Sequence, residues 1–235
     1  MPVITTRSDM TPVRYHAVFR RSTLLPASAL LQLLAAAALV ASQAAPAPKD
    51  LFDQLFARTL EKRQSIHSIR ARFTETTTSS LLEKPLVSHG TVIATPPARV
   101  LMTYTDPEHR TIAIDSKSLV VVWPDRRERE TIDISQTQKR IDQYFTQATI
   151  GQLRSMFDIA AAPDSVLRET DRVDMRPKRK QIKEGLERIE LWIDRESLLL
   201  VQLQMTFPGG DRKTIRLDDI TVNVPVADGT FLIRP

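Results

Sequence analysis

The sequence predicts an α+β protein that is mainly β, with one curled antiparallel sheet, an N-terminal helix and a helical insert in the middle of the chain. Apolar residues recur at helical spacing between residues 49 and 68, the period changes to two from Ile69 onward, and helical spacing returns between Gln136 and Ile159. Sheets of about ten strands tend to curl. A curled sheet with helices on one face makes a concave, apolar-lined space.

The N-terminus has the order of a secretory signal peptide. Arginines at positions 14, 20 and 21 precede the apolar run Ala27–Val40, and small residues follow it. That run is shorter than the ~20 residues of a membrane span. Cleavage is expected after Ala44, with Ser42 as a second candidate site and Met10 as a second candidate start. The domains are then a signal peptide at 1–44 and one domain at 45–235, with an uncleaved N-terminal anchor as the alternative.

Cysteine content and charge exclude several classes of protein. The chain has no cysteine, so it forms no disulfide and carries no cysteine-linked lipid. The 33 basic and 28 acidic residues include four arginines and one aspartate within residues 1–44, so the mature chain keeps 29 basic and 27 acidic residues. This near balance, without any nucleic-acid-binding motif, predicts that the protein binds no nucleic acid.

The first element of the mature chain is a helix from Lys49 to about Ser68. Its apolar residues share one side, and Glu61, Lys62 and Arg63 are assigned to other faces. The apolar set is Leu51, Phe52, Leu55, Phe56, Leu60 and Ile66.

Strands follow the helix. The first begins at Ile69, the second covers Leu86–Ala94, and in the third Val100, Met102 and Tyr104 share one face. Residues 111–114 and 119–123 are then predicted to form a hairpin.

Two short helices interrupt the strands, at Gln136–Phe145 and Ile150–Ile159. Strands resume near Val166, and Pro208-Gly209-Gly210-Asp211 marks a tight turn. Asp218 and Asp219 are expected in a turn at a strand end, and the last strand is expected at Thr230–Ile233.

The sequence contains no recognisable catalytic or cofactor site. His67, His89 and His109 are far apart and surrounded by polar residues, so no metal site is predicted. A Gly-x-Ser-x-Gly elbow and a phosphate-binding glycine loop are both missing. The chain is therefore predicted to be no enzyme and to use no cofactor.

Several motifs resemble those of the outer-membrane lipoprotein carrier (LolA) family, in the same order along nearly the whole mature chain. They correspond to that family's Phe-x-Gln, its strand-leading glycine before Arg-Pro, its Asp-Gly-x-x-Leu-Trp-x-Tyr-x-Pro and its closing Phe-x-Phe-x-x-Pro. In this chain they read Phe73-Thr-Glu75, Gly90, Pro97, Tyr104, Pro107, Asp115-Ser-Lys-Ser-Leu119 up to Pro124, and Asp228-Gly-Thr-Phe231-Leu-Ile-Arg-Pro235.

The resemblance implies an unclosed β-barrel with a helical lid over a hydrophobic cavity. It also implies a carrier in the periplasm of a Gram-negative bacterium that takes an acylated lipoprotein or lipid from an inner-membrane releasing complex or exporter to an outer-membrane acceptor. The protein is expected to be a monomer. The alternative is a LolA-like sensor or accessory interaction module in envelope function or in lipid or polyketide export.

Departures from the family pattern indicate a divergent paralogue. The family arginine linked to lid closure and cargo release aligns with Pro96, and the family tryptophan on the next strand aligns with Met102. The predicted cavity is lined by apolar residues from the whole chain. They are Phe73, Val92, Val100, Met102, Tyr104, Ile112, Val120, Val122, Trp123, Phe145, Met156, Phe157, Leu191, Ile193, Met205 and Phe207.

Overall fold

A computed structural model describes residues 50–96, 99–115, 117–141 and 148–233, and within them the fold is dominated by strands. The strands are β1 (Ile69–Thr78), β2 (Leu86–Thr95), β3 (Arg99–Asp106), β4 (Arg110–Ile114), β5 (Ser118–Trp123), β6 (Glu128–Asp133), β7 (Phe157–Pro163), β8 (Thr170–Pro177), β9 (Arg188–Asp194), β10 (Leu200–Thr206) and β11 (Arg212–Val222). The helices are α1 (Leu51–Arg63), α2 (Ser135–Ile141), α3 (Ile150–Met156) and α4 (Lys180–Lys183), with a 3-10 turn at Pro124–Arg126.

All eleven strands belong to one antiparallel sheet with two free edges. Their spatial order is β6-β5-β4-β3-β2-β1-β11-β10-β9-β8-β7. The edge strands β6 and β7 are consecutive along the chain, and α2 and α3 lie in the segment between them. The predicted fold class, an open, curled antiparallel sheet with an N-terminal helix and a central helical insert, is thus confirmed.

Asp50 caps the N-terminus of helix α1. The side chain of Asp50 accepts a hydrogen bond of 3.0 Å from the amide of Asp53. The helix ends at Arg63, five residues before the predicted end, and residues 65–68 lead into β1 instead. There the amide of His67 donates to the side chain of Asn223 at 2.8 Å. No helix in the described part of the chain is long and apolar enough to cross a membrane.

One residue of α1 was assigned to the wrong face. Phe52 and Leu55 are buried as predicted, but Arg63 is buried as well, with 8% of its surface exposed. Arg63 lies eleven residues after Phe52, which is close to three full turns of an α-helix. The two side chains therefore project from the same side of α1.

Gly90 of β2 lies close to the backbone of β3 and to a large side chain of β1. A Cβ atom at this position would lie 2.1 Å from the carbonyl oxygen of Thr103 and 2.7 Å from Cζ of Phe73. The Phe73 ring therefore occupies the space above Gly90, and its edge meets the ring of Tyr104 at a centroid distance of 4.9 Å. Only glycine fits between these groups.

The tight turns agree with their sequence signals. In the turn after β10, Gly209 and Gly210 have φ of 94° and 87°, a region that favours glycine. In the β4–β5 hairpin, the Asp115 side chain accepts hydrogen bonds of 2.7 Å from the amides of Lys117 and Ser118. Helix α3 starts in a capping box between Thr149 and Gln152.

Several element boundaries differ from the prediction. Strands β6 and β7 and helix α4 were not predicted, and the predicted helix to Ile159 stops at Met156. Strand β11 continues through Asp218 and Asp219, with φ of 53° at Asp219 beside a break in register with β1. Residues 230–233 form a turn and irregular structure rather than a strand. The predicted helical residues 142–145 lie outside the described ranges.

Candidate functional site

One face of the sheet is mainly apolar from β5 through to β7 in the spatial order of the strands. In the first half, Met102 is opposite Ile112 and Ile112 is opposite Val121. In the second half, Leu203 is opposite both Ile215 and Leu191, so the same face continues. Side chains opposite each other in a sheet lie on the same face. We call this the inner face, and it supplies most of the buried core.

Most of the predicted cavity residues lie on the inner face. These are Phe73, Val92, Val100, Met102, Tyr104, Ile112, Trp123, Phe157, Leu191, Ile193 and Met205, with Phe207 packed against the same core just after β10. Met156 is buried at the end of α3. Phe145 lies outside the described residues.

Val120 and Val122, two of the predicted cavity residues, do not lie on the inner face. Their neighbours Leu119 and Val121 are opposite Ile114 and Ile112, so these two side chains point inward. Val120 and Val122 therefore project from the opposite face, where they are half-buried. The run Leu119–Trp123 is apolar at every position, so alternation cannot show which of its residues point inward.

Two helices cover part of the inner face. Phe52 and Leu55 of α1 and Leu153 and Met156 of α3 join its core. The helices are also tied to each other, because Arg154 of α3 lies 2.7 Å from the Asp53 carboxylate and 2.5 Å from that of Asp50. The guanidinium carbon of Arg154 is also 5.3 Å from the ring centroid of Phe52.

A buried polar cluster interrupts the apolar surface at Glu75. Tyr104 donates a hydrogen bond of 2.9 Å to Oε2 of Glu75, and Lys213 donates one of 3.0 Å to Oε1. Arg110 lies 3.6 Å from the same carboxylate and 3.9 Å from the centroid of the Tyr104 ring. The predicted Phe-x-Glu motif thus places its glutamate inside the molecule, 5% exposed.

The cluster stabilises the ionised form of Glu75. Burial raises the pKa of this carboxyl, but the charges of Lys213 and Arg110 and the hydrogen bonds outweigh burial, so the pKa lies below its ordinary value. Burial and the charge of Glu75 raise the pKa of Tyr104, which stays protonated as a donor.

Arg63 is a further charged residue on the inner side, separate from the Glu75 cluster. Its Nε and Nη2 atoms are shielded from solvent and have no hydrogen-bond partner. Burial lowers the pKa of this guanidinium to about 10, so it remains a cation at neutral pH. Spacing relative to Phe52 was the sequence signal that identifies Arg63 as an inward residue.

Three aspartates of β8 and β11 form ion pairs with arginines. Asp171 lies 2.9 Å from Arg195, and Asp174 is paired with Arg188. Asp219 lies 2.5 Å from Arg72. His67, His89 and His109 are exposed, and no group of three metal-ligating side chains occurs within the described ranges.

A cavity of about 380 Å³ lies at the end of the sheet where β1, β3 and β11 meet the C-terminal segment. Pro96, the residue aligned with the family arginine, lines it together with Thr95 and Arg99. The Arg99 guanidinium lies 5.0 Å from the centroid of the Phe231 ring, so the C-terminal segment folds over this end of the sheet.

Comparison with known proteins supports the fold. The sequence model of the family described as outer membrane lipoprotein carrier protein LolA matches residues 64–234. Among curated proteins, none matches the chain.

Solved structures match the chain at low sequence identity, and the first of them shares its fold. An uncharacterized conserved protein from Thermus thermophilus matches with a TM-score of 0.52 at 10% identity, over 79% of this chain and 95% of that one. A LolA superfamily protein from Nitrosomonas europaea matches with a TM-score of 0.37 at 10% identity, over 74% and 93% of the two chains. The MucA/MucB complex of Pseudomonas aeruginosa gives a TM-score of 0.42 at 14% identity, over 89% and 61%.

Proposed function

Because the chain belongs to the outer membrane lipoprotein carrier protein LolA family, we propose that it is a periplasmic carrier of an acylated lipoprotein or lipid. It binds the acyl chains between the inner face of the sheet and the covering helices. It then moves the cargo from the inner to the outer membrane without chemical change, as a monomer. An inner-membrane releasing complex or exporter supplies the cargo, and an outer-membrane acceptor receives it.

The largely apolar inner face, covered in part by α1 and α3, is the observation that carries this proposal. Transfer of an acyl chain from water to such a surface gains ~0.8 kcal/mol for each buried methylene. Methionines at the inner side, Met102, Met156, Met175 and Met205, suit chains of differing shape because the thioether side chain adapts readily.

The N-terminal segment supports the place of action. Its basic residues, its short apolar run and the small residues at 41–45 have the form of an export signal. A carrier of acyl chains is needed in the aqueous space between two membranes, because lipid tails do not cross water unaided.

The test is to express the chain with its own N-terminal segment and isolate the exported protein from the periplasm. Native mass spectrometry is expected to show bound lipid, and the delipidated protein is expected to take up an acylated fluorescent probe. Absence of both signals would overturn the proposal. A stable complex with a membrane regulator and no acyl ligand would instead favour the sensor or interaction module.

A further inference from the structure

Arg63 is the one non-exposed arginine among the described side chains that has no carboxylate beside it. The others are Arg110, Arg154, Arg172, Arg188 and Arg195, and each lies within 4.0 Å of an aspartate or glutamate. Arg63 is 8% exposed, and its Nε and Nη2 atoms meet no acceptor. The fold thus supplies counter-ions to the other shielded guanidinium groups and leaves this one open.

The position of Arg63 on the helix directs it to the same side as the core residues. Phe52, Phe56 and Thr59 precede it by eleven, seven and four residues, and all of these spacings repeat on one face of an α-helix. The Thr59 hydroxyl is already used, since it donates to the carbonyl oxygens of Leu55 and Phe56 at 2.7 and 3.1 Å. It therefore does not compete for an acceptor that approaches Arg63.

The end of α1 compensates only part of the cost of burying Arg63. A cation in the last turn of a helix is stabilised by the helix dipole. That effect is much smaller than the cost of shielding a guanidinium from water without an anion or hydrogen-bond acceptor. An acceptor from outside the chain would remove most of this cost.

We propose that Arg63 binds the anionic head group of the acyl ligand, either a carboxylate or a phosphate. This inference rests on the proposed function and narrows its ligand class to acidic lipids. The guanidinium presents a planar fork of N–H donors that matches both oxyanions. With the head group at the end of α1, the acyl chain extends along the side of the helix that carries Phe56 and Phe52.

Displacement of a neutral apolar probe, N-phenyl-1-naphthylamine, from the delipidated protein tests this assignment. Palmitate and hexadecyl phosphate are compared with methyl palmitate, which has a similar chain without the charge. The wild type is expected to prefer at least one of the anions by about tenfold, which is about 1.4 kcal/mol. The arm that shows the preference identifies the head group.

Arg63→Met is expected to remove this preference while leaving methyl palmitate binding within about twofold of the wild type. Lys62→Met is the matched control, because it removes the same charge from an exposed neighbour on α1. Its preference is expected to stay unchanged. Arg63→Gln is a second neutral variant with the same expected loss, and thermal unfolding of both variants reports on folding.

The contradicting outcomes are distinct. Equal affinity of the wild type for all three ligands, or an equal loss for all three in Arg63→Met, overturns the head-group assignment and leaves the carrier proposal standing. Failure of all three ligands to displace the probe from the wild type overturns the carrier proposal, and the assignment with it.

Discussion

The phenol of Tyr104 donates a 2.9 Å hydrogen bond to the carboxylate of Glu75 across the inner face of the sheet. The two residues lie on β3 and β1, with β2 between them. Gly90 on β2 leaves room for Phe73, whose ring meets that of Tyr104. An apolar stack and a buried ion cluster therefore share one tyrosine.

Glu75→Gln is expected to destabilise the protein at pH 7 by about 3 kcal/mol, because Lys213 and Arg110 then lose their shared anion. The lowered pKa of Glu75 also makes stability depend on pH. Its contribution is complete above the ordinary value of 4.5 and is lost as the pH falls through the folded-state pKa below it. Urea unfolding at pH 7, 5 and 3 measures both effects.

The variant should therefore lose less stability than the wild type between pH 5 and pH 3. Glu61→Gln, at an exposed position on α1, is the control and should keep the wild-type pH profile. Parallel profiles for the wild type and Glu75→Gln would show that the cluster does not hold an ionised carboxylate.

Gly90→Ala is expected to cost about 3 kcal/mol, since the new methyl group meets the Thr103 carbonyl and the Phe73 ring. The free energy of unfolding in urea measures the loss. Gly185→Ala is the control: nothing lies within 4 Å of its added methyl, and its effect should stay within about 0.5 kcal/mol. Similar values for both variants would contradict the close approach at Gly90.

The variants Val121→Gln and Val122→Gln test which face of β5 binds the acyl chain. If the inner face binds acyl chains, the first change should weaken binding of an acylated fluorescent probe about tenfold, or about 1.4 kcal/mol. The second, on the outer face, should change it by less than about twofold. Thermal unfolding of both variants separates binding from folding. A larger binding loss for Val122→Gln would place the ligand on the other face.

Arg154→Met is expected to loosen α3 from α1, because it removes the contacts to Asp50 and Asp53. The pair is partly exposed, so the loss of stability should be at most about 1 kcal/mol. Faster hydrogen exchange in α3 and faster dissociation of an acylated probe are the expected signs. Lys62→Met should show neither, and unchanged exchange in Arg154→Met would indicate that packing alone holds the helix.

Sequence patterns predicted the central strands well and the edge strands poorly. The third strand alternates cleanly, so Val100, Met102 and Tyr104 were assigned to the correct face. Strand β6 has only one side chain that is not exposed, Ile132, so it shows no apolar period. The start of β7 was hidden because Phe157 follows Leu153 and Met156 at spacing that also suits a helix.

Charged residues on the inner side are harder to predict than apolar ones: helical spacing identifies Arg63, but no local pattern identifies Glu75. Arg63 follows Lys62 in a basic pair, and such residues are normally exposed. Glu75 stands out in the sequence only where the family motif has glutamine, and its partners Lys213 and Arg110 lie far away in sequence. Their meeting depends on strand order, which pairs β1 with β11 and which local periodicity does not contain.

The open position between the two edges of the sheet affects how easily the edges can move apart. Strands β6 and β7 form its two edges, and the chain between them carries α2 and α3. Moving these edges apart breaks no ladder of hydrogen bonds between strands, so the resistance to widening comes from side-chain contacts such as that of Arg154 with Asp53. Substitutions in the segment that carries α2 and α3 therefore change how firmly β6 and β7 are held together. They do so without altering the pairing of the strands.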